Sequence, residues 1–351
     1  MKKSLIALAV LAASGAAMAQ SSVTLFGIVD TGVSYVNNSV GDSSKYGVHS
    51  SGNATSRLGL RGTEDLGGGL KAGFWLEGEI FGDNGNSKGF DFKRESTVRL
   101  SGNFGEVRLG RETTPTFRAG LKYDLFGATG IGQFMGYKDW AGTGIADGNT
   151  IRKDNMLSYS TPNFSGFTGN ISYAFDEKQY GNTKAGRYIG GNIGYDNGPL
   201  SVTAAYGTLS YGSNVGDRDE ASIGASYNFG VAKIAGMAQQ VKYKPESGSS
   251  AKFNNYLLGV SAPVGGVGEV KAQYAYYDQK GNDAKAHQLS LGYVHNLSKR
   301  TALYGTVSYL KNKDGSAMAL GAKGVSDTVG LKANGSGRDQ TGVQVGIRHA
   351  F

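Results

Sequence analysis

The sequence predicts an all-β chain: a sixteen-stranded antiparallel transmembrane β-barrel, narrowed by one long loop folded inside it. Three observations predict this. Short runs alternate between apolar and polar residues along most of the chain, the period-two pattern of strands with two unlike faces. The connections between runs alternate between short and long, as in an up-and-down barrel with turns at one end and loops at the other. Beyond the first residues, no stretch approaches the ~20 apolar residues of a membrane helix.

The N-terminus reads as an export signal over residues 1–19. Met1-Lys2-Lys3 is positive, Ser4 to Ala13 is a compact apolar run, and Ala17-Met18-Ala19 fits a small-x-small cleavage site. The mature chain is expected to start at Gln20 and to form one barrel over residues 20–351. Losing Lys2 and Lys3 leaves a modest positive excess, because the whole chain carries 36 basic and 28 acidic residues. That excess is spread along the chain, and with an export signal it excludes a nucleic-acid patch. The absence of cysteine excludes a disulfide scaffold. Five prolines against 57 glycines exclude a Pro-rich disordered chain.

The first strand is VTLFGIVDTGVSYV. Val23, Leu25, Gly27, Val29, Val33 and Tyr35 share one face; Thr24, Asp30 and Ser34 share the other with Phe26 and Ile28. Residues 37–55 read as a polar loop. The second strand, SRLGLRG, sets Leu58 and Leu60 against Arg57 and Arg61. The third, LKAGFWLEGEIF, sets Leu70, Ala72, Phe74 and Leu76 against Lys71, Trp75, Glu77 and Glu79. A fourth strand around Ser96 to Leu100 pairs through SGNFGE with EVRLG. Val98, Leu100, Val107 and Leu109 take the apolar side, and Arg99 and Arg108 the polar side. Eleven further alternating runs follow residue 154 and end in QTGVQVGIRHAF. The turns TPNFSG, DNGP, NFG, APVGGVG and HNLSK are short, and the connections between them are expected to run about nine to thirty residues.

Residues 112–153 break the rhythm. ETTPTFRAGLKYDLFGATGIGQFMGYKDWAGTGIADGNTIRK has no stable period, and a loop that long in a compact domain is usually functional. It is expected to fold into the barrel and narrow it. A water-soluble sandwich also wants one apolar face, but two features disfavour it. The polar face carries Arg and Glu in mid-strand, and the apolar faces end in aromatic residues such as Tyr206, Phe229, Tyr293, Tyr309 and Phe351. Aromatic ends with a charged inner wall fit lipid outside and water inside.

Arg57, Arg61, Arg99 and Arg108 all fall on the water side, near a loop that ends in Arg152-Lys153. Any one of them reads as a solvated charge balanced by Glu77, Glu79 or Glu106. As a group beside a constricting loop they describe an anion path. One unit charge at ~5 Å, with an effective dielectric of 20 to 80, contributes roughly 0.8 to 3 kcal/mol. That attracts an anion without trapping it, as conduction requires. Enzyme signals are weak and no cofactor or metal is expected. Gly67 to Ala72 nominally fits a dinucleotide fingerprint but precedes a strand. His49, His287, His295 and His349 are scattered without ligand spacing. A lipase- or protease-type barrel enzyme would need a clustered Ser/His/acid set, and a plugged-barrel adhesin is the other alternative.

At SRLGLRGTEDLGGGLKAGF, LSGNFGEVRLGRE and the terminal GVQVGIRHAF, the chain resembles the β-proteobacterial general porins, the family that includes the neisserial porins. The likeness spans the mature chain and is nearest to the anion-selective members. It implies an outer-membrane homotrimer set among lipid and lipopolysaccharide, with the third external loop in the lumen. Small anions, including organic acids, would be in transit. It also implies a constriction in which an arginine cluster, matching Arg57, Arg94 and Arg152, faces an acidic residue matching Glu77. Strict alternation from Val98 and Leu100 puts Arg94 on the lipid face, so it reaches the lumen only through a bulge or loop end near Glu95 or Ser96. Phe351, the last apolar-face position, is expected to seal the closing strand against the first.

Overall fold

The computed structural model describes residues 22–37, 44–85, 91–137, 150–176, 184–212, 215–281, 283–321 and 338–351. The expected signal sequence and residues 138–149 of the long loop lie outside the described residues. Seventeen strands form one antiparallel sheet. They are β1 (Ser22–Val36), β2 (Lys45–Ser50), β3 (Arg57–Gly67), β4 (Leu70–Glu79), β5 (Glu95–Gly102), β6 (Gly105–Thr113), β7 (Arg152–Ser160) and β8 (Phe167–Ala174). Then come β9 (Tyr188–Asn197), β10 (Leu200–Ser210), β11 (Gly216–Asn228), β12 (Lys233–Pro245), β13 (Ala251–Val264) and β14 (Gly268–Lys280). Last are β15 (Lys285–Asn296), β16 (Thr301–Lys313) and β17 (Gln340–Ala350). β1 pairs with β17 from Ile28 opposite Ala350 to Val36 opposite Gly342, so the sheet closes and leaves no edge.

The barrel nevertheless has sixteen staves. β2 pairs with one half of β1, Thr31 opposite Ser50, and β3 with the other half, Ile28 opposite Arg57. Together they make one interrupted stave. Residues 45–50, read from sequence as loop, are therefore strand. Only Tyr46 and Val48 mark an apolar face there, inside a stretch of small polar and glycine residues that reads as loop.

The break at residues 51–56 is held by a buried polar knot. The Asp30 carboxylate accepts the backbone N–H groups of Gly52 (3.1 Å), Asn53 (2.8 Å) and Ala54 (2.6 Å) and the Tyr304 hydroxyl (2.5 Å). Tyr304 also meets His49 Nε2 at 2.9 Å, and His49 Nδ1 meets Ser34 Oγ at 2.8 Å. Asp30→Ala strands three backbone N–H donors and removes the acceptor of the Tyr304 hydroxyl, which costs roughly 3 kcal/mol even if water recovers part of their bonding. The variant should unfold at a lower temperature, read as loss of the compact, fast-migrating form on a heating series before electrophoresis. An unchanged transition would show that the break holds without the carboxylate.

Accessibility is inverted relative to a soluble protein. Val23, Leu25, Val98 and Ile193 are 67, 59, 64 and 68 % exposed, whereas Ser34, Gln239, Asn255, Gln273, Gln288 and Gln344 are buried. Apolar-out, polar-in alternation is what a lipid-embedded barrel requires. No helix among the described residues is long and apolar enough to cross a membrane; the strands cross it.

Seven connections are short, from two residues at 68–69 to six at 161–166. The first is Gly68-Gly69, which with Gly67 takes φ of +86°, +61° and +84°, a path that side chains disfavour. The other end carries the long connections, but those at 211–215, 246–250 and 281–284 are only four or five residues. The strands there run further than alternation alone suggested, because Lys, Asn and Asp continue both faces beyond the apolar band.

The long connection after β6 opens with α1 (Pro115–Leu121), capped by Thr114, whose Oγ accepts the Phe117 N–H at 3.4 Å, with Pro115 at its first position. Residues 123–137 then cross to inward-facing side chains. Tyr123 donates to Thr203 on β10 (2.9 Å), and Gln273 on β14 receives the Leu125 N–H (2.9 Å). Tyr277 on β14 receives the Met135 N–H (2.9 Å), and Gln288 on β15 donates to the carbonyls of Ile131 and Gln133. Asp124 knots the segment by accepting the N–H groups of Phe126, Ala128 and Phe134. Here the inner wall is not polar. Phe117, Tyr123, Ile131, Phe134 and Tyr137 bury themselves with Tyr243, Phe253, Tyr277 and Leu310 from β12, β13, β14 and β16. The last long connection adds Met318 and Leu320 to the same cluster.

Candidate functional site

The inserted segment leans on the β9–β17 side of the lumen. Facing inward on the β3–β7 side is a wall of charge. Alternation puts Arg57 and Arg61 of β3 on the inner face, in register with Glu79 and Trp75 of β4. The next pairing sets Glu77 opposite Glu95 and Trp75 opposite Thr97. Arg99 of β5 lies directly opposite Arg108 of β6.

Two tiers result. In the first, two of the expected arginines converge on one carboxylate and the third, Arg152, joins them through the Arg94 backbone. Arg94 Nε donates to Glu77 Oε1 at 2.6 Å, and Arg57 Nη1 lies 3.8 Å from the same oxygen. Arg152 Nε donates to the Arg94 carbonyl at 2.8 Å. Arg94 stands one residue before β5, outside the strict alternation, and its backbone N–H donates to the Glu77 carbonyl. The loop end, not a bulge, turns its side chain inward. Counting Glu79, three guanidinium groups face two carboxylates, so the tier keeps a positive excess. Arg57 is the more open member of the Glu77 pair, with its side chain 31 % exposed against 13 % for Arg94.

Arg61 and Arg99 do not join that tier. Arg61 lies four residues further along β3, about 13 Å toward the short-turn end. Its guanidinium sits 5.2 Å from the centroids of both Phe26 and Trp75, and that of Arg99 sits 5.1 Å from Trp75. Arg99 also pairs with Glu95. Arg108 is buried between Glu106 (2.7 Å) and Glu112 (2.9 Å), so its charge is spent within the wall. Trp75 links the tiers by donating its indole N–H to Glu77 Oε2 at 3.1 Å. Phe26 and Trp75 were missed as site residues, although the signal was present: both are aromatic residues on the charged face of a strand. Such rings hold a guanidinium in place while leaving its edge N–H groups open to a passing anion.

At the closing seam, the Phe351 N–H donates to the Gly27 carbonyl (3.0 Å), and the Gly27 N–H donates back to the Phe351 carbonyl (3.1 Å). The Phe351 ring lies over Gly27, in space that any side chain there would fill.

Comparison with known proteins gives a consistent set of likenesses. The family model described as Gram-negative porin matches residues 5–315. Outer membrane porin protein 32 of Delftia acidovorans is 66% identical over the whole of both chains. Major outer membrane protein P.IB of Neisseria gonorrhoeae is 28% identical over 90% of this chain and 95% of its own. Among solved structures, an anion-selective porin from Comamonas acidovorans superposes with a TM-score of 0.88 at 61% identity, covering 95% of this chain and all of that one.

Proposed function

The chain belongs to the Gram-negative porin family, and from that premise we propose that Arg57, Arg94 and Arg152 set its preference for anions. It is an outer-membrane porin, a transmembrane β-barrel channel for small hydrophilic solutes. A relative that is 61% identical is an anion-selective porin, and the same preference holds here. The observation that carries this reading is the convergence of Arg57 and Arg94 on Glu77, with Arg152 hydrogen-bonded to Arg94. Three cations against two carboxylates leave a positive excess where the lumen is narrowest. The narrowing is assigned to the described part of the long connection, and the anchoring of residues 123–137 to β10, β14 and β15 supports it.

An anion entering from the long-loop side meets the first tier, then Arg61 on its aromatic support about 13 Å further on. Spacing of that order lets an ion leave one site as it is drawn to the next, so that attraction does not become capture. Small organic acids fit this path, since their carboxylates carry the charge that the tier attracts. The resemblance to general porins supports a homotrimer among outer-membrane lipid and lipopolysaccharide, exported under a signal at residues 1–19. The test is the sign of the reversal potential of purified protein in a planar bilayer under a salt gradient. Anion preference fixes one sign, and a zero or opposite potential would reject it.

A further inference from the structure

Between the two tiers the inner wall carries an aromatic shelf that charge steering alone does not require. Phe26 of β1 and Trp75 of β4 flank β3, with Phe26 opposite Gly59 and Trp75 opposite Arg61. Gly59 stands between Arg57 and Arg61 on the inner face of β3, and the Phe26 ring occupies the space that any side chain there would need. The two rings meet at 4.9 Å with their planes 56° apart. Trp75 is fixed further by its indole N–H on Glu77. Neither ring is fully buried, so part of the shelf stays open on the pore side.

Arg61 stands over this shelf, exposed and 5.2 Å from both ring centroids. Its neighbours have carboxylates: Arg57 and Arg94 share Glu77, Arg99 pairs with Glu95, and Arg108 lies between Glu106 and Glu112. Among the described residues, no carboxylate lies within ion-pair distance of Arg61. Asp65, four residues on and on the same face of β3, is about 13 Å away. Its Oδ1 accepts the Gly67 N–H at 2.9 Å instead. A guanidinium is planar and weakly hydrated, so it packs flat on a ring while its N–H edge stays free to bond. The wall thus sets an unspent row of donors beside ring surface held in place in advance. A spherical anion uses only the charge. An anion that carries both a carboxylate and a flat apolar body uses the donors and the rings.

We propose that Arg61, Phe26, Trp75 and Arg99 form a transit site for aromatic carboxylates. The carboxylate meets the open N–H edge of Arg61, and the ring of the anion packs on Phe26 and Trp75 in the tilted or offset arrangements that aromatic pairs prefer. Arg99, 5.1 Å from the Trp75 centroid, adds positive charge from the β5 side. The inference rests on the proposed anion path and deepens it by naming a class of anion that the path favours.

The experiment measures how benzoate and cyclohexanecarboxylate, added at millimolar concentration, reduce single-channel chloride current in a planar bilayer. The two probes share charge and approximate size, and only benzoate is flat and aromatic. In wild type, benzoate should half-block at a concentration about threefold lower, the gain expected of an exposed cation–π or ring contact. Phe26→Leu keeps an apolar side chain without a ring, and Arg61→Lys keeps the charge without the planar face. Each should bring the two half-blocking concentrations together. Equal half-blocking concentrations in an anion-selective wild-type channel would overturn this inference and leave the anion path standing, a result that needs no variant. Retention of the threefold preference in both variants would place the site elsewhere and overturn it as well. A wild-type channel without anion preference would overturn both readings.

Discussion

Deleting Phe351 is expected to leave most of the chain unassembled and protease-sensitive in the periplasm. The deletion removes both seam hydrogen bonds between Phe351 and Gly27 and uncovers the Gly27 backbone. Two hydrogen bonds at about 1 kcal/mol each, with part of a ring's burial, amount to roughly 3 kcal/mol at the step that closes the barrel. That is about a hundredfold in the closing equilibrium. Until β1 and β17 pair, both present open edges inside a chain whose apolar residues already face outward. Phe351→Tyr should keep most of the outer-membrane yield, because the ring and both backbone bonds remain. Normal yield of the deletion would show that the seam closes on Ile28–Ala350 and later pairs alone.

Shortening the connection between Thr116 and Gly148 is expected to raise single-channel conductance, on the order of twofold, because ions then see the full bore of the barrel. The hydrogen bonds between residues 125–135 and Gln273, Tyr277 and Gln288 support the proposal that this stretch crosses the lumen instead of covering its mouth. The cut frees Phe253 and Leu310 of the apolar inner wall beside the amides of Gln273 and Gln288, so survival of the barrel rests on its closed strand ladder. Asp124→Ala, which unties the Phe126, Ala128 and Phe134 amides, is a gentler version that should show as noisier open-channel current. Unchanged conductance in the shortened variant would mean that the stretch does not limit the pore.

Much of this was legible in the chain. Alternation alone separated Leu58, Leu60, Val98 and Leu109 from Arg57, Arg61, Arg99 and Arg108, because a strand's period of two needs no tertiary knowledge. The pairing of the first and last strands followed from the alternation of short and long connections. Three things were not legible, each for a physical reason. Residues 45–50 pair with β1, and that pairing depends on Asp30 and Tyr304, which lie far apart in sequence. Arg94 escapes the lipid face because β5 begins at Glu95, a boundary decided by the Arg94–Glu77 contact itself. Tyr243, Phe253, Tyr277 and Leu310 alternate correctly yet face an apolar insert, so polarity could not tell lumen from loop. The division of the arginines into two tiers needed strand register, which sequence pattern does not supply.

In the proposed function, charge in the first tier is the variable that sets selectivity, and it is tested as the reversal potential across a salt gradient, wild type beside Arg57→Ala, Arg152→Ala and Arg57→Lys. At low salt, each removed charge should lower the anion-to-cation permeability ratio about fivefold, the partition change expected for ~1 kcal/mol. Arg57→Lys should stay near wild type, because steering needs a point charge and not a fork. The differences should fade toward 1 M salt, where the screening length is about 3 Å. Identical reversal potentials for wild type, Arg57→Ala and Arg152→Ala at low salt would contradict the assignment and leave these arginines as wall charges.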